Sequence, residues 1–256
     1  NRLRAEAAAR SEMEKQRKDA DLAEQNRQMS SRLKSTGAAI ETAELGVVTV
    51  GALVTSEGAF RFVYDGHIAN ENRGILIEMR NVVGAHEDIR YRVSKELQVL
   101  TALKQNPHAH LMRVHFLQTT QLGSFIAYGT ELPTGNLSTL DPMPAQTARN
   151  YVRQICAGLD HIHTALGFLH RDVMRENVIT FEDGRVELTN FQHATRPAES
   201  TRTVTGHVEC MAPEVMQGQE HTKAVDYWAL GILVCELYDP AVEGSNHPRF
   251  LAERKN

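Results

Sequence analysis

The chain has 256 residues, 41% of them hydrophobic and 23% charged, with a formal net charge of −4. This balance is typical of a globular protein with one or two domains, and it lacks the basic excess that nucleic acid or an anionic membrane attracts. No apolar run is long enough to span a bilayer, and no signal-peptide pattern occurs. Three widely separated cysteines, Cys156, Cys210 and Cys235, form neither a disulfide framework nor a metal cluster, which favours a reducing compartment.

Residues 1–36 are predicted to form a long helix or helical linker. Residues 5–10 are strong helix formers, and neither Gly nor Pro occurs before Gly37. Apolar residues are too sparse for a coiled coil. Two interpretations stay open, a solvated linker and a helix that lies on a partner protein. Because the chain begins with Asn1 rather than Met, we expect it to be a piece of a longer polypeptide.

From Gly46 the pattern changes to β-structure. A turn containing Ser56 and Gly58 separates the first two strands. On the third strand Leu76, Glu78 and Arg80 share one face, because successive strand side chains point to opposite sides. The three strands are expected over residues 46–53, 60–64 and 75–80.

Two helices and a further strand are predicted next. An apolar stripe at helical spacing indicates a helix over residues 88–105, which carries Glu96. Residues 125–129 have the pattern of a strand and 130–132 that of a connection. A second amphipathic helix is expected over residues 145–166.

The most informative stretch is residues 170–177, His-Arg-Asp-Val-Met-Arg-Glu-Asn. Asp172 follows His170 and Arg171, and Asn177 lies five positions further on. This resembles the catalytic loop of protein kinases, in which the Asp accepts the proton of the attacking hydroxyl and the Asn holds a metal ion. On these eight residues alone, an ordinary polar loop is the alternative.

Later motifs strengthen the resemblance. Residues 201–206 and 211–214 resemble a kinase activation segment with its closing Ala-Pro-Glu, and residues 223–231 resemble the buried helix that follows. The residues of these motifs are most similar to those of the cyclic-nucleotide-dependent, AGC-type Ser/Thr kinases. The resemblance implies that Thr203 is phosphorylated and that Arg171 binds the phosphate, with an unmodified hydroxyl as the alternative. The structural positions it implies are His170, Arg171, Phe191, Glu214 and Asp226.

The first lobe departs from the family where the nucleotide is held. The three glycine positions of the phosphate-covering loop hold Ser56, Gly58 and Arg61. The Lys that grips the phosphates is replaced by Glu78, whose charge would repel them. A register shifted by two residues would place Arg80 in that position instead.

Two further residues take their roles from the same resemblance. Leu76 is expected against the adenine. Glu96 stands where the family's helical Glu pairs with the Lys, and without that Lys a surface position on the helix is an equal alternative. The resemblance therefore implies that ATP binds weakly or not at all.

The second lobe keeps the catalytic Asp but changes the groups around it. Asp-Phe-Gly, whose Asp binds magnesium, is replaced by Asn190-Phe191-Gln192. Asn190 keeps an oxygen but loses the charge, so a metal shared with Asn177 would be held poorly. The Lys two residues after the catalytic Asp is replaced by Met174. His207 stands where these kinases have a Thr near the catalytic Asp.

We therefore expect an α+β, two-lobed protein-kinase-like fold behind the N-terminal helix. Its β-rich N-lobe would cover residues 45–132. Its mainly helical C-lobe would cover residues 133–256 and be truncated, because only a short tail follows residue 240.

Two functions follow from the resemblance. One is a pseudokinase that serves as a binding or scaffolding module and recruits protein partners through residues 1–35 and the C-lobe. The other is an active ATP-dependent Ser/Thr kinase that uses Asp172 as its base. We expect a cytoplasmic protein, with an assembly of cytoskeletal type among its settings, and neither nucleic acid nor a membrane as partner.

Overall fold

The computed structural model describes residues 39–57, 61–69, 73–81, 87–119, 125–140, 143–199 and 204–238. The predicted helix over residues 1–36, Gly58, Thr203 and the tail from residue 240 lie outside these ranges. The chain divides into two compact units. Unit 1 comprises Asn1–Ala85 and His115–Thr130, and unit 2 comprises His86–Val114 and Glu131–Asn256.

Unit 1 is built on a six-stranded sheet. Its strands are β1 (Ala39–Thr42), β2 (Gly46–Glu57), β3 (Arg61–Ile68), β4 (Arg73–Asn81), β5 (Val114–Thr119) and β6 (Phe125–Glu131). They lie in the order β1-β2-β3-β4-β6-β5, and the first four strands pair antiparallel with one another in succession. The predicted connection at residues 130–132 is partly wrong, because the chain stays paired through residue 131 as the end of β6.

Alternation along β4 produces the two faces that the sequence predicts. Ile75, Ile77 and Met79 are buried in the core of the sheet, and Glu78 and Arg80 lie on the opposite face. The turn predicted from residue 55 begins later, because β2 stays paired with β3 up to residue 57. The pairing register of β2 shifts between residues 50 and 55, as it does at a β-bulge, so the strand continues past the position where the turn was predicted.

Unit 2 combines helices with a small sheet. Its helices are α1 (Glu87–Gln105), α2 (Ala145–Thr164), α3 (Pro213–Met216) and α4 (Ala224–Tyr238). Strands β7 (Gly135–Asn136), β8 (Val178–Thr180) and β9 (Val186–Leu188) form its sheet, in that order. Among the described residues, no helix is long and apolar enough to cross a membrane.

Helix α2 delivers the chain to residues 170–177. Its apolar face is buried, as the sequence predicts, through residues such as Ile155, Leu159 and Ile162. The helix stops two residues early because Gly167 takes a left-handed φ of 73° and the Phe168 amide donates to the Ile162 carbonyl at 2.9 Å. The turn directs the following residues back across the unit.

Asp226 on α4 anchors that returning segment. Its fully buried carboxylate accepts hydrogen bonds from the backbone amides of His170 (2.8 Å) and Arg171 (2.6 Å), and it contacts His163 Nε2 at 2.7 Å. These bonds hold Arg171 at a φ of 64°, a strained value for a residue with a side chain. The predicted structural role of Asp226 is therefore to fix the conformation just before Asp172.

Candidate active site

The Asp172 side chain is fully buried and accepts hydrogen bonds at both carboxylate oxygens. Oδ2 accepts from Asn177 Nδ2 at 2.8 Å and from Asn190 Nδ2 at 3.5 Å. Oδ1 accepts from the His207 backbone amide at 3.1 Å and lies 2.8 Å from His207 Nδ1. The structure thus brings together the predicted residues Asp172, Asn177 and Asn190.

A chain of side-chain amides continues from this carboxylate. Asn190 Nδ2 donates to Asn177 Oδ1 at 2.9 Å, and Gln192 Nε2 donates to Asn190 Oδ1 at 2.9 Å. An ionised carboxylate only accepts hydrogen bonds, so Asn177 turns its amide nitrogen toward Asp172. That orientation leaves its oxygen for the nitrogen of the next amide, and the same constraint passes along the chain to Gln192.

Asp172 and His207 stabilise each other's charged forms. Burial by itself raises the pKa of Asp172, but the hydrogen bond with His207 and the other interactions of the carboxylate outweigh it and lower the pKa. The hydrogen bond to Asp172 raises the pKa of His207, against some desolvation. The pair therefore favours a carboxylate beside a protonated imidazole, although the His207 side chain remains 55% exposed.

The His170 ring stabilises the loop through hydrogen bonds at both of its nitrogens and a contact with Phe191. The Asp172 amide donates to His170 Nδ1 at 3.2 Å, so Nε2 carries the proton that is donated to the Thr189 carbonyl at 2.9 Å. Burial lowers the pKa of His170, which keeps the ring neutral. Its ring packs edge-on against the fully buried Phe191, with centroids 5.2 Å apart. The two predicted structural residues therefore form one contact.

The segment from Asn190 turns sharply after β9. Asn190 has a φ of 64°, a left-handed conformation that Asn tolerates better than most residues. The following residues, Phe191–His193, form a 3-10 turn. This geometry returns the Gln192 side chain to Asn190, which sequence motifs did not reveal.

Arg171 contacts residues on both sides of the activation segment. Its Nε donates to the His193 carbonyl at 2.7 Å, and a terminal nitrogen lies 3.3 Å from His221 Nδ1. His193 Nδ1 is in turn 2.6 Å from Thr205 Oγ1. Phosphorylation of Thr203 stays a prediction, since that residue lies outside the described ranges.

Three other predicted residues of unit 2 are Met174, Glu214 and Glu96. Met174 precedes the 3-10 turn Arg175–Asn177 and contributes no charge where the family has a Lys. The Arg175 guanidinium donates to the Leu137 carbonyl at 2.8 Å and so ties the loop to the chain after β7. Glu214 lies in the first turn of α3, within the Ala-Pro-Glu motif. Glu96 is 3% exposed, so its interpretation as a surface residue of the helix is wrong.

In unit 1, Glu78 is part of an ion cluster. Arg61 donates to it from two nitrogens, Nε to Oε2 at 2.9 Å and Nη2 to Oε1 at 3.1 Å. Arg80 lies 3.4 Å from the same carboxylate and donates to the Tyr128 hydroxyl at 3.4 Å. The two arginines exceed the charge of Glu78, so the cluster as a whole is positive.

The cluster also sets the protonation of Glu78. Burial alone raises its pKa, but Arg61 and Arg80 outweigh the burial and lower it. In the sequence, Arg61 is recognised only as the residue at a position where the family has a glycine. The pair is apparent only from the cross-strand register of the folded sheet, which places Arg61 opposite Arg80 and Val63 opposite Glu78. Leu76 is half-buried on the same strand, and Ser56 pairs with Phe62 at the end of β2.

The metal that the family implies does not fit this arrangement. The side-chain oxygens of Asn177 and Asn190 both accept hydrogen bonds from amide nitrogens. Mg²⁺ prefers charged oxygen ligands, and Asp172 already accepts four hydrogen bonds. Across the described ranges, no three His, Cys, Asp or Glu residues are grouped to hold a metal ion.

Comparison with known proteins agrees with the motifs. The family model described as protein kinase domain matches residues 55–248. The chain is 38% identical over 93 residues to cAMP-dependent protein kinase catalytic subunit 3 of Drosophila melanogaster, covering 36% of this chain and 16% of that protein. It is 31% identical over 163 residues to protein kinase C zeta type of Oryctolagus cuniculus, covering 62% and 27%.

A third relative, ribosomal protein S6 kinase alpha-1 of Rattus norvegicus, is 28% identical over 192 residues, covering 72% of this chain and 26% of the relative. The chain therefore spans about a quarter or less of the length of the curated relatives it matches. The predicted AGC-type resemblance and the two-lobed α+β fold class are confirmed. Because the family model spans most of the sequence, the chain belongs to the eukaryotic protein kinase family.

Proposed function

We propose that this kinase-family domain is a catalytically impaired pseudokinase that acts as a protein-binding module. The observation that supports this most directly is the state of Asp172. Its two carboxylate oxygens accept hydrogen bonds from Asn177, Asn190 and His207, where a base would need an oxygen free for a substrate hydroxyl.

The replaced charges add to the impairment. Phosphoryl transfer in this family depends on positioning and on stabilisation of the developing charge. Met174 and Glu78 stand at positions where the family carries cations, and Asn190 stands at that of the metal-binding Asp. Removal of a single stabilising group costs about 100- to 1,000-fold in comparable sites, so three replacements together remove several orders of magnitude.

The test measures nucleotide binding and turnover on the same protein. Thermal unfolding is followed with ATP, with and without Mg²⁺ or Mn²⁺, and phosphate transfer is followed with a mixture of basic peptides. We expect no metal-dependent rise in Tm and a transfer rate equal to that of the Asp172→Ala variant. A robust rate that disappears in Asp172→Ala would refute the proposal.

An active Ser/Thr kinase is the second candidate. It is favoured by the retention of Asp172 and Asn177 and by relatives whose names describe kinases. In that case Arg80 would replace the missing Lys. A rise in Tm with ATP and Mn²⁺ that is abolished by Arg80→Ala would support this candidate. Against it stands the engagement of Arg80 with Glu78 and Tyr128.

The partner of the module is proposed from sequence. Residues 1–35 are rich in helix formers and poor in apolar residues, which suits a segment that binds another protein in a cytoplasmic, cytoskeletal-type assembly. Pull-downs with residues 1–256 and 36–256 should recover the partner only with the longer protein. A third version with residues 1–35 scrambled controls for composition. Equal recovery by all three would contradict the proposal.

A further inference from the structure

The side-chain amide of Gln192 occupies the hydrogen-bonding position next to the oxygen of Asn190. In the family, the residue at position 190 and Asn177 face a divalent cation through their side-chain oxygens. Here Gln192 Nε2 contacts the first of these oxygens and Asn190 Nδ2 contacts the second, each at 2.9 Å. A nitrogen that donates a hydrogen bond thus stands beside each oxygen that a cation would need.

The direction of the amide chain makes this arrangement self-consistent. Asp172 receives the nitrogen of Asn177, which exposes the Asn177 oxygen to Asn190, and Asn190 in turn exposes its oxygen to Gln192. Had position 190 been Asp, the chain would break, because a carboxylate cannot donate to Asn177 Oδ1. Had position 192 been Gly, the Asn190 oxygen would lose this donor.

We propose that Gln192 is a positioning residue that takes the place of a divalent cation and closes the Asp172 loop without metal. This inference rests on the proposed pseudokinase function and explains how the loop keeps its conformation in a domain that has lost its metal-binding Asp. Asn190 and Gln192 act together, since either side chain alone leaves an oxygen of the chain without its donor.

The test asks whether Gln192 limits cation binding once the missing carboxylate is restored. Mn²⁺ alone is titrated against wild type, Asn190→Asp and Asn190→Asp/Gln192→Ala, with free Mn²⁺ measured by electron paramagnetic resonance. We expect no binding by wild type. We expect the double variant to bind about two- to tenfold tighter than Asn190→Asp, because the cation no longer has to displace the hydrogen bond from Gln192. Asn190→Asp/Gln219→Ala, which truncates an exposed glutamine, is the matched control and should bind as Asn190→Asp does.

Two results would overturn the inference. One is equal Mn²⁺ affinity with and without Gln192 in the Asn190→Asp background. The other is an absence of binding by every variant, because Gln192 would then not fill a cation position. Circular dichroism of each variant establishes that it is folded.

A measurement on the unaltered chain covers the case in which Asn190→Asp does not fold. Amide hydrogen exchange of residues 170–177 and 189–193 should be the same in Mg²⁺ and in EDTA, and slowing by Mg²⁺ would overturn the inference. These outcomes are separate from those of the proposed function. Turnover by wild type would refute the impaired kinase, whereas the Mn²⁺ titration judges only Gln192.

Discussion

Replacing Glu78 by Lys, the residue that the kinase resemblance predicts at this position, is expected to destabilise the domain without restoring nucleotide binding. In the folded protein the new ammonium group would lie between the guanidiniums of Arg61 and Arg80. Two attractions would become two repulsions in a site where the Glu78 and Arg80 side chains are only 10% and 5% exposed.

The magnitude follows from the contacts. Unit charges 4 Å apart interact by about 4 kcal/mol at an effective dielectric of 20, and breaking a buried ion pair typically costs about 3–5 kcal/mol. Movement of the Lys side chain toward water and the partial exposure of Arg61 reduce the sum. We therefore expect Glu78→Lys to lower the free energy of unfolding by about 3–5 kcal/mol.

Urea denaturation of four proteins measures this effect as a double-mutant cycle. They are wild type, Glu78→Lys, Arg61→Glu and the combined charge swap, which keeps the net charge of the cluster. The swap should recover about half of the loss or more, since it restores one cross-strand ion pair. Glu41→Gln, on an exposed position of β1, controls for charge changes on the same sheet.

The reasoning would be refuted if Glu78→Lys were as stable as wild type, or if the two single losses simply added in the swap. A gain of ATP binding by Glu78→Lys alone would also contradict it. That gain would mean that the position is a nucleotide site with one residue missing, and that the ion cluster has no structural role.

Two other predictions concern unit 2. The buried Glu187 has its pKa raised to about 7 by desolvation, so the folded state binds its proton more tightly than the unfolded state does, and stability falls as pH rises from about 4.5 through 7. Between about pH 5 and about pH 8, the free energy of unfolding of Glu187→Gln should therefore fall by about 3 kcal/mol less than that of wild type, as measured by denaturation. A pH profile parallel to that of wild type would contradict this. Gly206→Ala would place a Cβ 2.5 Å from the Arg171 carbonyl at a φ of 93°, whereas Gly184→Ala at a φ of 79° meets nothing within 4 Å. We expect the first variant to lose about 1–3 kcal/mol more than the second in thermal unfolding, and equal losses would rule out the close approach of the two segments.

Much of the fold could be predicted from periodicity and motifs. The helices over residues 88–105 and 145–166 match α1 and α2 within two residues at each end. Their long apolar stripes have no competing interpretation. Boundaries failed where pairing extended an element, as at the end of β2, because a bulge lets the chain continue where local composition indicates a turn.

The sequence by itself determined the family and the positions at which its charged groups are replaced. Motifs are short and local, so the identities at positions 174 and 190 could be assigned by counting along the chain, whereas counting left the Lys position open between Glu78 and Arg80. Only the tertiary structure decided what the replacements contact. Arg61 and Glu78 are 17 residues apart, and Asp172 and His207 are 35 apart.

Such contacts arise from strand register and from loop conformation. A shift of one residue between β3 and β4 would move Arg61 away from Glu78, and a right-handed Asn190 would turn Gln192 away from its oxygen. Local sequence propensities do not encode either quantity, because both depend on how distant segments pack together. The neutral amide chain at Asp172 is therefore a property of the folded unit.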